Sequence, residues 1–334
     1  MAAAPNAAPP PVAHQDPQKG ILLILVGCIC ISIQDVLIKE LSGDYPLHQM
    51  VFARSTIGIL FSLVFVQLEG GWQILKTDTP GLHLLRGLLV VMANMTFFTA
   101  LAVMPLANAS ALFFVAPLMI TLLSIPLLGE PVGPRRIGAV IVGFVGVLMM
   151  VRPGSSVADS VPGLFVLCLP ILAAFFYALM QIMTRKLGLR SKPSALAVYI
   201  QATFIVVSSL FWLIAGDGRF TEGVTDESLI FLLRAWVWPA GGDIWLFVSL
   251  GVLSGTIGYT LSRAYASADA AVIAPFEYSN LVLAVIWGWL IFGHLPGVDT
   301  WMGITLIMGS GIYVFLRERL RRQPLASGRP QRRH

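Results

Sequence analysis

The sequence predicts an all-α integral membrane protein with ten transmembrane helices, arranged as two inverted five-helix repeats. Three observations carry that expectation. Ten stretches are apolar for about 20 residues each, the length a helix needs to cross a hydrocarbon core about 30 Å thick. The basic residues gather on alternate connections. The second half of the chain echoes the first in order.

The apolar stretches of the first half are Gly20–Leu41, Pro46–Leu68, Gly81–Val103, Leu106–Leu128 and Pro134–Val151. Those of the second are Pro162–Lys186, Pro193–Ala215, Asp243–Ala266, Ala270–Phe292 and Gly297–Leu316. Charged residues make up only 12% of the 334, against 57% hydrophobic. A soluble domain carries about 25% charge, so no water-soluble domain fits between the spans. The tail 1–19 is rich in Ala and Pro and is expected to be disordered and cytoplasmic. It has no basic start, and the first apolar run is too long for a signal peptide, so that run is expected to stay as the first helix. Cys28, Cys30 and Cys168 all fall in spans. The C-x-C spacing of the first two is neither a redox nor a zinc pattern, and all three read as small packing residues.

Placing the N-terminus in the cytoplasm puts fifteen of the 22 Lys and Arg on cytoplasmic segments, among them Lys19, Lys76, Arg135, Arg136 and the basic tail 317–334. Four face outside: Lys39, Arg152, Arg219 and Arg234. This positive-inside asymmetry places both termini in the cytoplasm, as an even number of spans requires. The pI of 9.3 follows the membrane, and the basic tail reads as a topology determinant near anionic lipid rather than a nucleic-acid site. In the longest connection, Leu229–Trp238 is apolar but too short to cross. Trp236 and Trp238 suggest that it rests at the interface.

The internal echo has fixed spacings. Ala100–Ala107 precedes an apolar run ending at Gly129-Glu130, and Ala264–Ala271 precedes one ending at Gly293-His294, with both pairs 164 residues apart. A glycine-rich span follows each (Gly138, Gly143, Gly146; Gly303, Gly309, Gly311). Earlier, Pro46 and Arg54 pair with Pro193 and Gln201 at a spacing of 147. Five spans per repeat is an odd number, so the second unit, 162–316, must enter the membrane upside down relative to the first, 20–151. Inverted repeats are a common way to build alternating access, with a substrate site at their interface.

At these residues the chain resembles the drug/metabolite transporter superfamily, in its ten-helix EamA-type branch, across Gly20–Arg319. The resemblance rests on Pro117-Leu-Met through Leu128-Gly-Glu130, on Gln34-Asp35-Val-Leu-Ile-Lys39, on His83-Leu-Leu-Arg86-Gly-Leu-Leu, and on Asp269-Ala-Ala-Val-Ile-Ala-Pro275-Phe-Glu277-Tyr278. These look like a bacterial subgroup with S-adenosylmethionine-uptake and riboflavin-uptake types. His294 departs from the usual Gly-Glu. The resemblance implies secondary transport of a small organic metabolite (an amino acid, nucleoside or cofactor-like solute) across the bacterial inner membrane. It implies alternating access driven by protons or exchange, with no cofactor and no metal.

Charges inside spans cost several kcal/mol and tend to face a cavity or a partner. Asp35 lies about five residues, and Arg54 about eight, from the outer ends of their spans, which places them within about 4–5 Å in depth. They are expected to pair or to line an outer vestibule. Glu277 lies about seven residues, roughly 10 Å, inside the ninth span. It can carry a proton, meet a cationic substrate group, or pair structurally with Arg86 or Arg263. Both arginines lie near span ends and can also snorkel. Gln34, Asn94, Tyr177, Gln181, Gln201, Tyr259, Ser262, Asn280 and Trp287 complete the candidate lining, with Tyr278 beside Glu277. Aromatic walls with a few amides suit a flat or amphipathic solute. Gly251-x-x-x-Gly255 is expected to let its helix approach a neighbour closely. No G-x-x-x-x-G-K-[ST], H-E-x-x-H or G-x-S-x-G motif occurs, so a membrane enzyme built on Glu277 and Tyr278 is the secondary class, with a channel or receptor beside it.

Overall fold

A computed structural model describes residues 17–129, 132–151, 164–187, 193–267 and 270–322. The tails at 1–16 and 323–334, the motif residues Glu130 and Asp269, and the Ser262 side chain lie outside what is described. The chain is all-α. In order the helices are α1 (Pro17–Leu41), α2 (Leu47–Glu69), α3 (Pro80–Val103), α4 (Leu106–Phe113), α5 (Ala116–Leu128), α6 (Pro134–Val151) and α7 (Leu164–Leu187). There follow α8 (Pro193–Ala215), α9 (Glu227–Leu233), α10 (Asp243–Ser267), α11 (Ala270–Glu277), α12 (Ser279–Leu290) and α13 (Val298–Arg322).

Among the described residues, nine helical spans are long and apolar enough to cross a bilayer. Eight match predicted stretches to within a few residues, and the α4–α5 pair makes the ninth. The remaining predicted stretch, Ala270–Phe292, is instead two short helices, α11 and α12. The chain is therefore a multi-pass membrane bundle. Its outer surface bears apolar side chains with nothing packed on them: Leu60, Leu148, Leu213 and Trp245 are 59–72% exposed. In water such a surface would aggregate, whereas lipid covers it at no cost.

Prolines and glycines set the ends. Gly70 closes α2 at φ 145°, a conformation that side chains with a Cβ rarely adopt. Pro80 opens α3, where its missing N–H costs nothing. Met104 is extended ahead of Pro105 and ends α3. Pro117 cannot donate to the Phe113 carbonyl, and the chain loosens there. Phe114 N still reaches Ser110 O at 3.0 Å, but Val115 N bonds Leu112 O, a tighter turn, at 3.3 Å. A second break falls at Tyr278, three residues after Pro275. Phe114 and Tyr278 are themselves 164 residues apart, and their rings stack with centroids 5.1 Å apart.

Helix α1 lies along α10, α3 along α7, α2 between α8 and α10, and α6 along α13. Small residues set the closest approaches. A Cβ placed on Gly146 would meet the Gly303 carbonyl at 3.0 Å, and one on Gly303 would meet the Gly146 carbonyl at 2.9 Å. Gly251 and Gly255 bring α10 onto Ile57 and Phe61 of α2, as their spacing predicts. Gly138 and Gly309 meet nothing. Where α2 ends, Glu69 accepts from the Ser194 hydroxyl at 2.7 Å and so covers the start of α8.

Three features add to the sequence reading. α13 continues to Arg322 rather than yielding to a tail at 317, because Arg317-Glu-Arg-Leu-Arg-Arg is good helix former throughout. Trp236 packs inward against His48, Phe52 and Trp212, while Trp238 is 87% exposed. The long connection is tied to the bundle by side-chain hydrogen bonds. Gln49 donates to Val237 O at 2.6 Å and accepts from Val237 N at 3.1 Å. Tyr45 donates to Asp243 at 2.7 Å and accepts from Ala240 N at 3.0 Å. The Asp243 carboxylate raises the Tyr45 pKa, so the phenol keeps the proton that holds the clamp.

The seam between α6 and α13 generates a test. Gly146→Leu should cost about 1–3 kcal/mol by overpacking backbone against backbone, read as a several-degree fall in the melting temperature of the detergent-solubilised protein. Gly138→Ala, two turns earlier in open space, should leave it unchanged or slightly raised.

Candidate functional site

A cavity of about 270 Å³ lies inside the bundle, walled by α1, α3, α4, α5, α7, α10, α11 and α12. Ile24, Cys28, Ile31, Gln34 and Asp35 reach it from α1 at three- and four-residue steps, one stripe of a helix. Phe97 and Phe98 of α3, Phe113 and Phe114 at the first break, and Tyr177 of α7 form a ring wall. Phe113 joins it together, 5.3 Å from Phe97 and 5.5 Å from Tyr177 between centroids. Both helix breaks open onto this space, through Phe114 and Pro117 on one side and Glu277 and Asn280 on the other.

Six polar side chains mark the lining: Gln34, Asp35, Asn94, Ser110, Glu277 and Asn280. Asp35 is only 4% exposed, and no donor among the described residues bonds its carboxylate. Arg54, likewise 4% exposed, lies within electrostatic reach of it but is turned away. Its Nη2 donates to Asn94 Oδ1 at 3.0 Å, and its guanidinium sits between Phe98 and Phe204, at 5.3 and 5.1 Å from the ring centroids. The expected close pair of Asp35 and Arg54 is thus replaced by a relay, with Asn94 between arginine and cavity. Asn94 Nδ2 is spent on Val90 O at 3.1 Å, which fixes which amide atom faces the arginine. Ser110 Oγ and Asn280 Oδ1 are buried at the cavity wall without a partner.

The cavity gathers Gln34, Asp35, Asn94, Tyr177, Glu277 and Asn280 from the sequence candidates. Gln181 stands behind it and donates to the Tyr177 hydroxyl at 2.9 Å. Tyr278 is buried against the Phe114 ring and beneath Gly311. Trp287 donates to Ser32 at 3.1 Å, tying α12 to α1. Arg86 is half-buried and within electrostatic reach of Tyr177, as is Glu277, but it does not line the cavity. Three candidates lie elsewhere. Gln201 faces α10 and α2, donating to Ser254 at 3.0 Å. Tyr259 stacks on Phe65, 3.9 Å between centroids, on the far side of α10. Arg263 is exposed. Each of these helices is apolar nearly all round, so depth alone did not say which way a residue points.

Sequence reasoning missed four kinds of residue. The phenylalanines of the wall are indistinguishable from lipid-facing ones by type. Ser110 carried no signal. Cys28, read as packing, is a wall residue whose thiol points at the Phe276 and Glu277 carbonyls, at 3.8 and 3.9 Å. Lys39 was counted as a loop charge, yet it closes one end of the bundle. Its ammonium donates to Leu101 O at 2.8 Å and Met104 O at 2.7 Å, and lies 5.5 Å from the Phe292 ring. A signal for it existed in the sequence: Pro105 cannot donate to Leu101 O, so that carbonyl needs another donor.

Residues 18–152 match the EamA-like transporter family. Relatives match over nearly the full length. A riboflavin transporter of Vibrio cholerae is 28% identical over 89% of this chain and 93% of its own length. An S-adenosylmethionine uptake transporter of Rickettsia prowazekii is 27% identical over 90% and 93%. A pseudopaline exporter of Pseudomonas aeruginosa is 28% identical over 87% and 94%. The chain is thus similar to the EamA-like transporter family over its first half and to these transporters over nearly all of its length. A solved crystal structure shares the fold, with a TM-score of 0.61 over 91% of this chain and 99% of that one at 20% identity. The chain is a secondary transporter of a small organic solute across the bacterial inner membrane, and the membrane-enzyme reading gives way to that function.

The relay at the wall of this transporter can be tested. Asn94→Leu keeps the volume but strands a buried guanidinium, and should cost about 3–5 kcal/mol. In an Arg54→Met background the same change should cost far less. A double-mutant cycle on detergent-solubilised protein measures the difference, and additivity of the two changes would exclude the coupling.

Proposed function

We propose that this transporter carries a flat, amphipathic metabolite through the central cavity by alternating access between two inverted five-helix halves, residues 20–151 and 162–316. The observation that carries this reading is the cavity at two broken helices, lined by rings and by two carboxylates. In secondary transporters, discontinuous helices at a repeat interface expose backbone groups where a substrate needs them. The breaks at Phe114 and Tyr278 keep the 164-residue spacing of the sequence echo and stack on each other, as two equivalent positions beside a two-fold axis would. The packing supports the same exchange. Swapping the halves turns the pairing of α1 with α10 into that of α7 with α3, and maps the α2–α8 and α6–α13 pairs onto themselves.

With α11 and α12 counted as one broken span, the halves have five spans each and both termini lie in the cytoplasm. The Lys39 end is then the outer end, and it is closed here. The substrate class follows from the ring wall and from the relatives, whose names concern riboflavin and S-adenosylmethionine. Both molecules join a flat heteroaromatic ring to a polar chain, which suits a wall of phenylalanines interrupted by amides and carboxylates.

Glu277 is the coupling carboxylate in this reading. It sits at a helix break and within electrostatic reach of Cys28 of α1, Tyr177 of α7 and its neighbour Tyr278. A carboxylate in such a place can bind a proton from one side and release it to the other.

Counterflow in proteoliposomes, with riboflavin and S-adenosylmethionine as probes, tests the whole. Trans-stimulation is expected for a carrier and absent for a channel. Phe113→Ala should cut counterflow at least about tenfold, while Tyr259→Phe, outside the cavity, should stay within about twofold of wild type. Glu277→Gln should lose accumulation driven by a pH gradient while keeping exchange. Gradient-driven accumulation at the wild-type rate would remove Glu277 from coupling.

A further inference from the structure

Asp35 brings to the cavity a carboxylate that no donor among the described residues bonds. Gln34 adds an amide, and Asn280 Oδ1 and Ser110 Oγ lie buried beside the wall without a partner. Glu277 adds a second carboxylate to the wall. The amide donors of Asn94 are turned to Val90 O, away from any guest. The faces of Phe97, Phe98 and Phe113 carry the negative side of the ring quadrupole. Among the described residues no Lys, Arg or His lines the space. The one cation near it, Arg54, is held off by Asn94 and by two rings.

We propose that the cavity is built for an organic cation, a flat ring system carrying a positive charge, with Asp35 as its counter-charge. This rests on the transport reading above and narrows its substrate class. A buried carboxylate without a bonded donor is costly, and a guest cation removes that cost on arrival. Rings stacked around the charge add cation–π attraction, which is strongest where water is excluded. An anionic solute meets the Asp35 carboxylate, and among the described residues no Lys, Arg or His on the wall offsets it. A neutral ring fills the space but leaves Asp35 unanswered. Arg54 keeps a supporting role: it offsets part of the Asp35 charge while the site is empty, yet cannot reach across Asn94 to occupy the guest's place.

The test compares two flat probes on the full-length protein in detergent. N-methylacridinium is a permanent cation, and riboflavin is neutral. Saturable quenching of each probe's fluorescence gives its affinity. Wild-type protein should bind N-methylacridinium more tightly than riboflavin, a comparison that needs no variant. Asp35→Asn should weaken the cation at least about tenfold and riboflavin by a clearly smaller factor, while Asp35→Glu should retain most of the cation affinity. The inference is overturned if wild-type protein does not bind the cation saturably or prefers riboflavin. Equal affinity of Asp35→Asn and wild type for the cation overturns it as well. Should Asp35→Asn fail to give a monodisperse protein, the wild-type preference decides alone. Counterflow that still responds to Phe113→Ala would then leave the transport reading standing without the cation. Counterflow indifferent to Phe113→Ala would remove the reading itself.

Discussion

In a hydrocarbon core every backbone N–H and C=O must find its partner inside the protein, since water is not there to serve. This constraint decides where the helices of this transporter can break. Pro117 and Pro275 each remove a donor in mid-span, and neither carbonyl left behind can be turned to lipid without a cost of several kcal/mol. The breaks therefore fall inside, where the two loosened segments meet at the Phe114 and Tyr278 rings. A space that can hold a polar guest follows from the same geometry. The same rule explains the Lys39 contact. Pro105 leaves the Leu101 carbonyl without a helical donor, and an ammonium from another helix supplies it.

The electrostatics of the cavity follow from a second shortage. Two ionisable side chains, Asp35 and Arg54, are almost wholly buried on consecutive helices, and a direct ion pair would have satisfied both. A pair of that kind would also have filled the cavity and quenched it. Asn94 prevents this by presenting its oxygen to the arginine, so the charge balance is kept at a distance while the carboxylate stays open. The stacking of the guanidinium between Phe98 and Phe204 serves the same end, because a planar cation that is weakly hydrated tolerates aromatic faces where an ammonium would not.

How much of this was legible in the sequence depended on which physical signal each feature leaves. Span positions depend on summed hydropathy, and eight helices begin and end within a few residues of the expected points. The breaks were visible only as prolines, and prolines are ordinary in membrane helices, so Ala270–Phe292 read as one helix. Depth along a span could be counted, which is why Asp35, Asn94, Tyr177, Glu277 and Asn280 were found. Rotation about the helix axis could not be. A helix that is apolar on every side has no polar face to orient it, and Gln201 and Tyr259 sit at suitable depth yet point to α10 and to Phe65. The ring wall was hidden for the same reason, since nothing in the letter F separates a phenylalanine that meets a guest from one that meets lipid.

The two kinds of contact between helices divide the bundle into parts that can and cannot move in the proposed transport cycle. At the seam of α6 and α13 the approach is backbone to backbone, through Gly146 and Gly303. Met150, Leu306 and Ile307 pack against the same two glycines, so separation would strip both backbone and side-chain contacts from the crossing. The Lys39 end is different. It is held by two charge-assisted hydrogen bonds and one ring contact, each bond worth about 1.5–3 kcal/mol net. When that end parts, water enters and rehydrates both the ammonium and the carbonyls, so the cost of opening falls below the sum of the bonds. A lysine on a flexible stem, answering a carbonyl that a proline has orphaned, thus makes a closure that is strong when dry and weak when wet.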